Sequence, residues 1–261
     1  MNSVFQANLL AGKTAFLTGS GSGINRAIAK RFVEHGANVV LVGRTQEKLD
    51  SAAAEMNALG KGRALGVGAD VRQYEELEKA AIKGSEAFGA YDIVVAGAAG
   101  NFVAPVNKMS ANGFGTVIDI DLKGTFNTFR IMSERLNRGA SLIAISAPQA
   151  TQVMWGQAHA CAAKAGIEML VKTLAVEWGA KGVRVNGLTP GFVEATVGGD
   201  LFKGSDNGEA VKKRLPIQRF ATLDEMADMA LLLCTPVAAY MTGHIVVLDG
   251  GVLLMGAGSL G

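Results

Sequence analysis

The stretch "TGSGSGIN", residues 18 to 25, follows an apolar run and precedes a segment with helical spacing. Gly19, Gly21 and Gly23 let the backbone turn tightly; with Ser20, Ser22 and Ile24 they bring it close to a pyrophosphate held at the positive end of a helix. Glycine-rich turns also arise on steric grounds alone, but this one lies between a strand and a helix near the N-terminus, the context a dinucleotide requires. Asn25 stands where such a turn usually has a further glycine, so it either alters the packing of helix on strand or adds a polar contact to the cofactor. The second apolar run ends in "LVGRT". A carboxylate at that tip would bind the ribose 2′-hydroxyl of NAD; Arg44 instead offers a guanidinium that can fork onto a 2′-phosphate. The expected cofactor is NADP(H). The run Lys212, Lys213, Arg214 fits the phosphates of coenzyme A and fits a solvated face equally well. Cys161 and Cys234 form neither a disulfide framework nor a metal-ligand spacing, and no metal site is expected.

These residues must be held by elements that the apolar pattern marks out. "TAFLTG", "NVVLVG", "ALGVGAD", "DIVVAGAAG", "ASLIAIS", "VRVNGLTP" and "HIVVLDGG" are strand-like runs separated by helical stretches such as "INRAIAKRFVEHG" and "QEKLDSAAAEMNALG". Continuous Val/Ile/Leu runs between helices predict parallel strands covered on both faces. The expectation is one doubly wound α/β domain of the Rossmann type over 1–261, with about seven strands and ligand outside their carboxyl ends. The long irregular piece, 194–218, reads as a mobile substrate loop. A hydrophobic content of 49% in 261 residues supports a substantial core and argues against disorder. A net charge of +2 gives no reason to expect nucleic acid or a membrane surface as partner. The start, "MNSVFQANLLAGK", does not read as a secretory signal, and "GAGSLG" carries no peroxisomal address, so the expected location is cytoplasmic.

With "TGSGSGI" at 18–24, "DV" at 70–71, "AAG" at 98–100, a helix carrying Lys164, "PGFV" at 190–193 and "DGG" at 249–251, the chain resembles the short-chain dehydrogenase/reductase family along essentially its whole length. The resemblance implies that Asp70 and Val71 contact adenine and that Gly97, Ala98, Ala99 and Gly100 line the cofactor. It implies that Lys164 binds the nicotinamide ribose and that Pro190, Gly191 and Val193 cover the nicotinamide. It also implies a homo-oligomer, with a tetramer favoured, built on long helices near 110–136 and 157–179. The usual family chemistry uses serine, tyrosine and lysine, with an asparagine on the fourth helix. Here the tyrosine position is Ala160, the serine position is Ala147 with Ser146 beside it, and the asparagine position is Asp121. A proton donor to a carbonyl oxygen is missing.

One subgroup shares these departures. The tyrosine-less 2,4-dienoyl-CoA reductases of the peroxisomal type are similar in "AAGNF" at 98–102 with Pro105, in "DID" at 119–121 before "GTFN" at 124–127, in the pair His159–Ala160, and in "LAVEWG" at 174–179. The resemblance implies that Asp121 and Lys164 do the work. A dienoyl thioester accepts hydride at the far end of its conjugated system, and the final proton goes to carbon. Lys164, a ribose hydroxyl, a water or Asn101 would hold the negative oxygen, and Asp121 would orient a water that protonates the chain. A nearby lysine lowers an aspartate's pKa while burial raises it, and an ionised aspartate has no proton to give, which favours the water. His159, turned about 100° around the helix from the vacant position, reads as a packing or solvent-facing residue. Met154 and Trp155 either wall an acyl site or cover core. Two other functions remain open: a reductase of another enone or a ketone, and a catalytically silent NADP(H)-binding subunit.

Overall fold

The computed structural model describes residues 5–194, 196 and 206–255. Its strands are β1 (Thr14–Thr18), β2 (Asn38–Gly43), β3 (Ala64–Gly68), β4 (Tyr91–Ala96), β5 (Leu136–Ile145), β6 (Arg184–Pro190) and β7 (Ile245–Leu248). They form one sheet in the order β3-β2-β1-β4-β5-β6-β7, and every neighbouring pair runs parallel. The described helices are α1 (Gly23–Glu34), α2 (Gln46–Asn57), α3 (Tyr74–Phe88), α4 (Ala111–Ile118), α5 (Gly124–Met132), α6 (Ala158–Gly179), α7 (Asp206–Arg214) and α8 (Leu223–Leu233). This is the doubly wound Rossmann-type arrangement expected from the sequence.

Alternate residues of a strand point to opposite faces, so the central strands need apolar side chains at successive positions. Leu17, Val39, Leu41 and Ile143 pack with Ile28, Phe32, Leu49 and Leu231 from α1, α2 and α8. On the other face Phe16, Val40, Val42 and Val94 pack with Leu77, Phe129, Ile167 and Val171 from α3, α5 and α6. The order reverses between β1 and β4, and a crevice opens there at the carboxyl ends of the strands.

The structure departs from the sequence reading in three places. The helix expected over 110–136 is interrupted by a five-residue π-helical turn, Asp119–Lys123, and ends at Met132 because Leu136 already pairs with Tyr91. Within the expected loop 194–218, residues 206–214 form α7, whose last turn carries Lys212, Lys213 and Arg214; residues 195 and 197–205 lie outside the described residues. Ser20, read as part of the phosphate turn, is fully buried beneath it. Its hydroxyl donates to the Leu17 carbonyl at 2.9 Å and accepts from the Val42 amide at 2.9 Å, fastening the turn to β2. Among the described residues no helix is long and apolar enough to cross a membrane, and no group of three or more His, Cys, Asp or Glu could hold a metal ion.

Ser20→Ala strands the Val42 amide in a dry interior, which costs about 1–3 kcal/mol. The expected outcome is a lower urea midpoint with an unchanged m-value; an unaltered midpoint would show that the turn does not depend on this bond.

Candidate active site

A cleft of about 350 Å³ lies over the carboxyl ends of β1 to β4. Gly19, Gly21 and Ser22 line it from the first turn, Arg44 from the tip of β2, Asp70 and Val71 from the residues after β3, and Gly97, Ala98, Ala99 and Gly100 from those after β4. Gly19 has φ +69°, and a Cβ there would lie 2.8 Å from the Ala98 backbone, so the turn and the β4 loop approach as only glycine permits. Gly23 opens α1, and Ile24 packs against the core below. Asn25 is buried, and its Nδ2 donates to the Gly97 carbonyl at 2.7 Å. A side chain on Gly97 would collide with Asn25, so the two residues lock the first helix to the β4 loop.

Thr45 and Lys48, which sequence reasoning missed, also line the cleft. Lys48 follows Arg44 by four residues across the start of α2, and that spacing of cations was the available signal. At the other rim Arg72 grips the Asp70 carboxylate with Nη2 at 2.6 Å and Nε at 3.0 Å, which holds the Asp70 pKa below its usual value. The glycine turn, the adjoining helix N-terminus and this pair of cations suit a dinucleotide carrying an extra phosphate.

Beyond the cleft, the π-helical turn presents Asp121 to α6. The carboxylate is 1% exposed and Lys164 is 7% exposed. Lys164 Nζ lies 3.2 Å from Asp121 Oδ2 and donates to the Ile145 carbonyl at 3.1 Å. Asp121 Oδ1 accepts the Gly100 amide at 2.7 Å, which ties the ion pair to the loop after β4 that lines the cleft. An ammonium has three N–H donors, so the lysine retains one beyond these two partners. One turn further along α6, buried Glu168 accepts from Ser146 at 2.9 Å and from Thr189 at 3.4 Å. Ser146 therefore serves Glu168 and does not stand in for the missing serine.

The loops after β4 and β5 close the site. Asn101 donates to Gln157 Oε1 at 2.7 Å and is exposed, and the Ala104 amide donates to the Gly156 carbonyl at 2.8 Å. These ties leave an apolar rim in which Val103 is 62%, Val153 80% and Trp155 75% exposed, so Trp155 covers no core. His159 is a packing residue rather than a solvent-facing one. It is fully buried, its ring stands edge-on to Phe102 with centroids 4.3 Å apart, and its Nε2 has no partner. Burial pulls its pKa down, against the charge of Asp121. Pro190 ends β6, Gly191 donates its amide to the Leu248 carbonyl at 3.1 Å, and Val193 bridges to Ala221, all at the same carboxyl edge. In α7, Lys212 pairs with Glu209 at 2.9 Å and lies over the Phe220 ring.

Residues 19–253 match the family described as enoyl-(acyl carrier protein) reductase. The chain is similar to the peroxisomal 2,4-dienoyl-CoA reductase of Mus musculus, with 39% identity over 95% of this chain and 86% of that protein. It is similar to the Saccharomyces cerevisiae protein of the same description, with 37% identity over 97% of this chain and 88% of that one. Among solved structures, a short-chain dehydrogenase from Bacillus anthracis superposes with a TM-score of 0.84 at 36% identity, covering 94% of this chain and 97% of that one.

Removing one partner of a buried ion pair leaves the other charge uncompensated, at a cost of roughly 3–5 kcal/mol. Lys164→Met is expected to lose stability on that scale, and adding Asp121→Leu to recover a large part of it. Denaturant titration of the single and double variants checks this; strictly additive losses would mean that the two charges do not act as a pair.

Proposed function

The chain belongs to the short-chain dehydrogenase/reductase family and is an oxidoreductase that uses a nicotinamide cofactor, and from that premise we propose that it is an NADPH-dependent reductase of 2,4-dienoyl-CoA thioesters. The observation that carries the reading is the buried Asp121–Lys164 pair standing where the ordinary tyrosine and serine are replaced by Ala160 and Ala147. Without a hydroxyl donor to carbonyl oxygen, the site suits a reaction whose last proton goes to carbon. The apolar rim of Val103, Val153 and Trp155 suits an acyl chain.

A dinucleotide held in the cleft would supply a hydride, which the fifth carbon of the dienoyl chain accepts. The electrons move through the conjugated system to the thioester oxygen. Asp121, paired with Lys164, orders a water that delivers a solvent proton to the second carbon. The remaining double bond then lies between the third and fourth carbons, the (3E) product named for the mouse and yeast relatives. Lys164 holds the carboxylate and the cofactor ribose together, and the Gly100 amide keeps Asp121 oriented toward the nicotinamide side of the cleft. Arg44 and Lys48 take the 2′-phosphate, which selects NADPH over NADH.

Wild-type protein is expected to oxidise NADPH with 2,4-hexadienoyl-CoA, to form the 3-enoyl product, and to leave a 3-oxoacyl-CoA untouched. Asp121→Ala should lower kcat at least ~100-fold while NADPH still binds. Reduction of the 3-oxoacyl thioester alone would move the assignment to ketone chemistry; NADPH binding with no turnover on any unsaturated thioester would make the chain a silent subunit.

The double variant Arg44→Ala, Lys48→Ala removes two charged contacts, each worth about 1.5–3 kcal/mol. It is expected to raise the KM for NADPH by ~10-fold or more and to leave the KM for NADH nearly unchanged. Equal changes for both cofactors would refute the 2′-phosphate role.

A further inference from the structure

Lys164 Nζ lies 3.2 Å from Asp121 and donates to the Ile145 carbonyl at 3.1 Å, so one peptide group, Ile145–Ser146, helps to set the place of the ammonium. That peptide is gripped on three sides. Its carbonyl receives the lysine. Its amide, the Ser146 N–H, donates to the Leu188 carbonyl of β6 at 2.8 Å. Next to it, the Ser146 hydroxyl donates to Glu168 Oε1 at 2.9 Å.

Glu168 has no part in the chemistry described so far, yet it stands directly behind it. It follows Lys164 by four residues in α6 and so shares a face of the helix with it. Its side chain is buried together with Ser146 and Thr189, and a carboxyl group this deep is costly to place unless it is hydrogen-bonded. The same Oε1 accepts both hydroxyls, Ser146 at 2.9 Å and Thr189 at 3.4 Å, from the carboxyl ends of the paired strands β5 and β6. An apolar side chain would fill this space without the cost of burial. What only the acceptor provides is a fixed tie from α6 to the two strand ends, one helical turn beyond the lysine.

We propose that Glu168 is a positioning residue for the reduction: by holding Ser146 it fixes the Ile145–Ser146 peptide, and through that carbonyl it keeps the Lys164 ammonium against Asp121. The inference rests on the dienoyl-thioester reading of the site, in which Asp121 orders the protonating water. Glu168 touches neither substrate nor cofactor in this role. Lysine carries its charge on a flexible four-carbon stem, so the ammonium stays in one place only while its acceptors do. If the Ile145 carbonyl turns away, the lysine loses one of its two partners and the carboxylate shifts with it. A misplacement of about 1 Å at a reacting group can cost ~100-fold in rate. The glycine turn and Arg44, which line the far part of the cleft, are not reached by this tie.

The test compares wild type with Glu168→Met, Glu168→Gln, Ser146→Ala and the double variant Glu168→Met, Ser146→Ala. Turnover is measured with NADPH and 2,4-hexadienoyl-CoA, and stability as the urea midpoint. Glu168→Met removes the acceptor and is expected to lose ~10-fold or more in kcat, with the KM for NADPH changed far less. Glu168→Gln keeps an oxygen for both hydroxyls and is expected to recover most of the rate. Ser146→Ala cuts the same tie from the other side, so it should lower kcat comparably, and the double variant should be no slower than the slower single one. Should Glu168→Met fail to fold, Ser146→Ala beside Glu168→Gln carries the comparison. A lowered urea midpoint with wild-type kcat in Ser146→Ala or Glu168→Met makes the tie purely structural and overturns the role. So do additive losses in the double variant, or a Gln variant as slow as the Met one. Wild type that reduces no dienoyl thioester overturns the reading of the reaction and this inference with it, whereas an active wild type beside unimpaired variants overturns the role of Glu168 alone.

Discussion

A carboxylate and an ammonium withdrawn from water are each costly to bury, by several kcal/mol per ion, and their mutual attraction offsets this only when their remaining valences are filled. Asp121 and Lys164 meet that condition through the Gly100 amide and the Ile145 carbonyl. The consequence is geometric. One ion pair joins the β4 loop, the π-helical turn, the middle of α6 and the end of β5, and none of the four can shift without exposing a charge to an apolar interior. The crevice at the reversal of strand order is a property of the doubly wound sheet; in the proposed function its chemistry comes from this junction.

The surrounding contacts act in support. Asn25 and Gly97 fit each other so closely that α1 and the β4 loop hold one relative position. Glu168 gathers Ser146 at the end of β5 and Thr189 near the end of β6 under the same stretch of α6 that carries the lysine. Asn101, Gln157, Ala104 and Gly156 fasten the two loops that carry the apolar rim. Most of the polar side chains near the site are thus occupied within the protein.

Much of this was legible in the sequence because the physics is local. A parallel strand covered on both faces has to be a continuous apolar run, and the runs at 14–19 and 38–43 appear in the structure almost residue for residue. The glycine turn and Arg44 announce themselves by position. What sequence could not show depended on partners distant along the chain. Ser20 faces inward because Val42 needs its hydroxyl, and Asn25 turns to the Gly97 carbonyl in the loop after β4. His159 is buried because Phe102 from another loop lies across it. The π-helical turn has no local signature in "DIDLK"; it follows from Asp121 being drawn to Lys164 and Gly100 together.

That turn has a consequence of its own. Closing a helical turn with one residue more than usual shifts the angular phase of everything beyond it by roughly 100°. The segments before and after Asp119–Lys123 therefore keep separate clocks: Thr128, Phe129 and Met132 face the core on one schedule, and Val117 on another. A turn one residue shorter would turn the acid away from its cation and leave both charges buried without a partner.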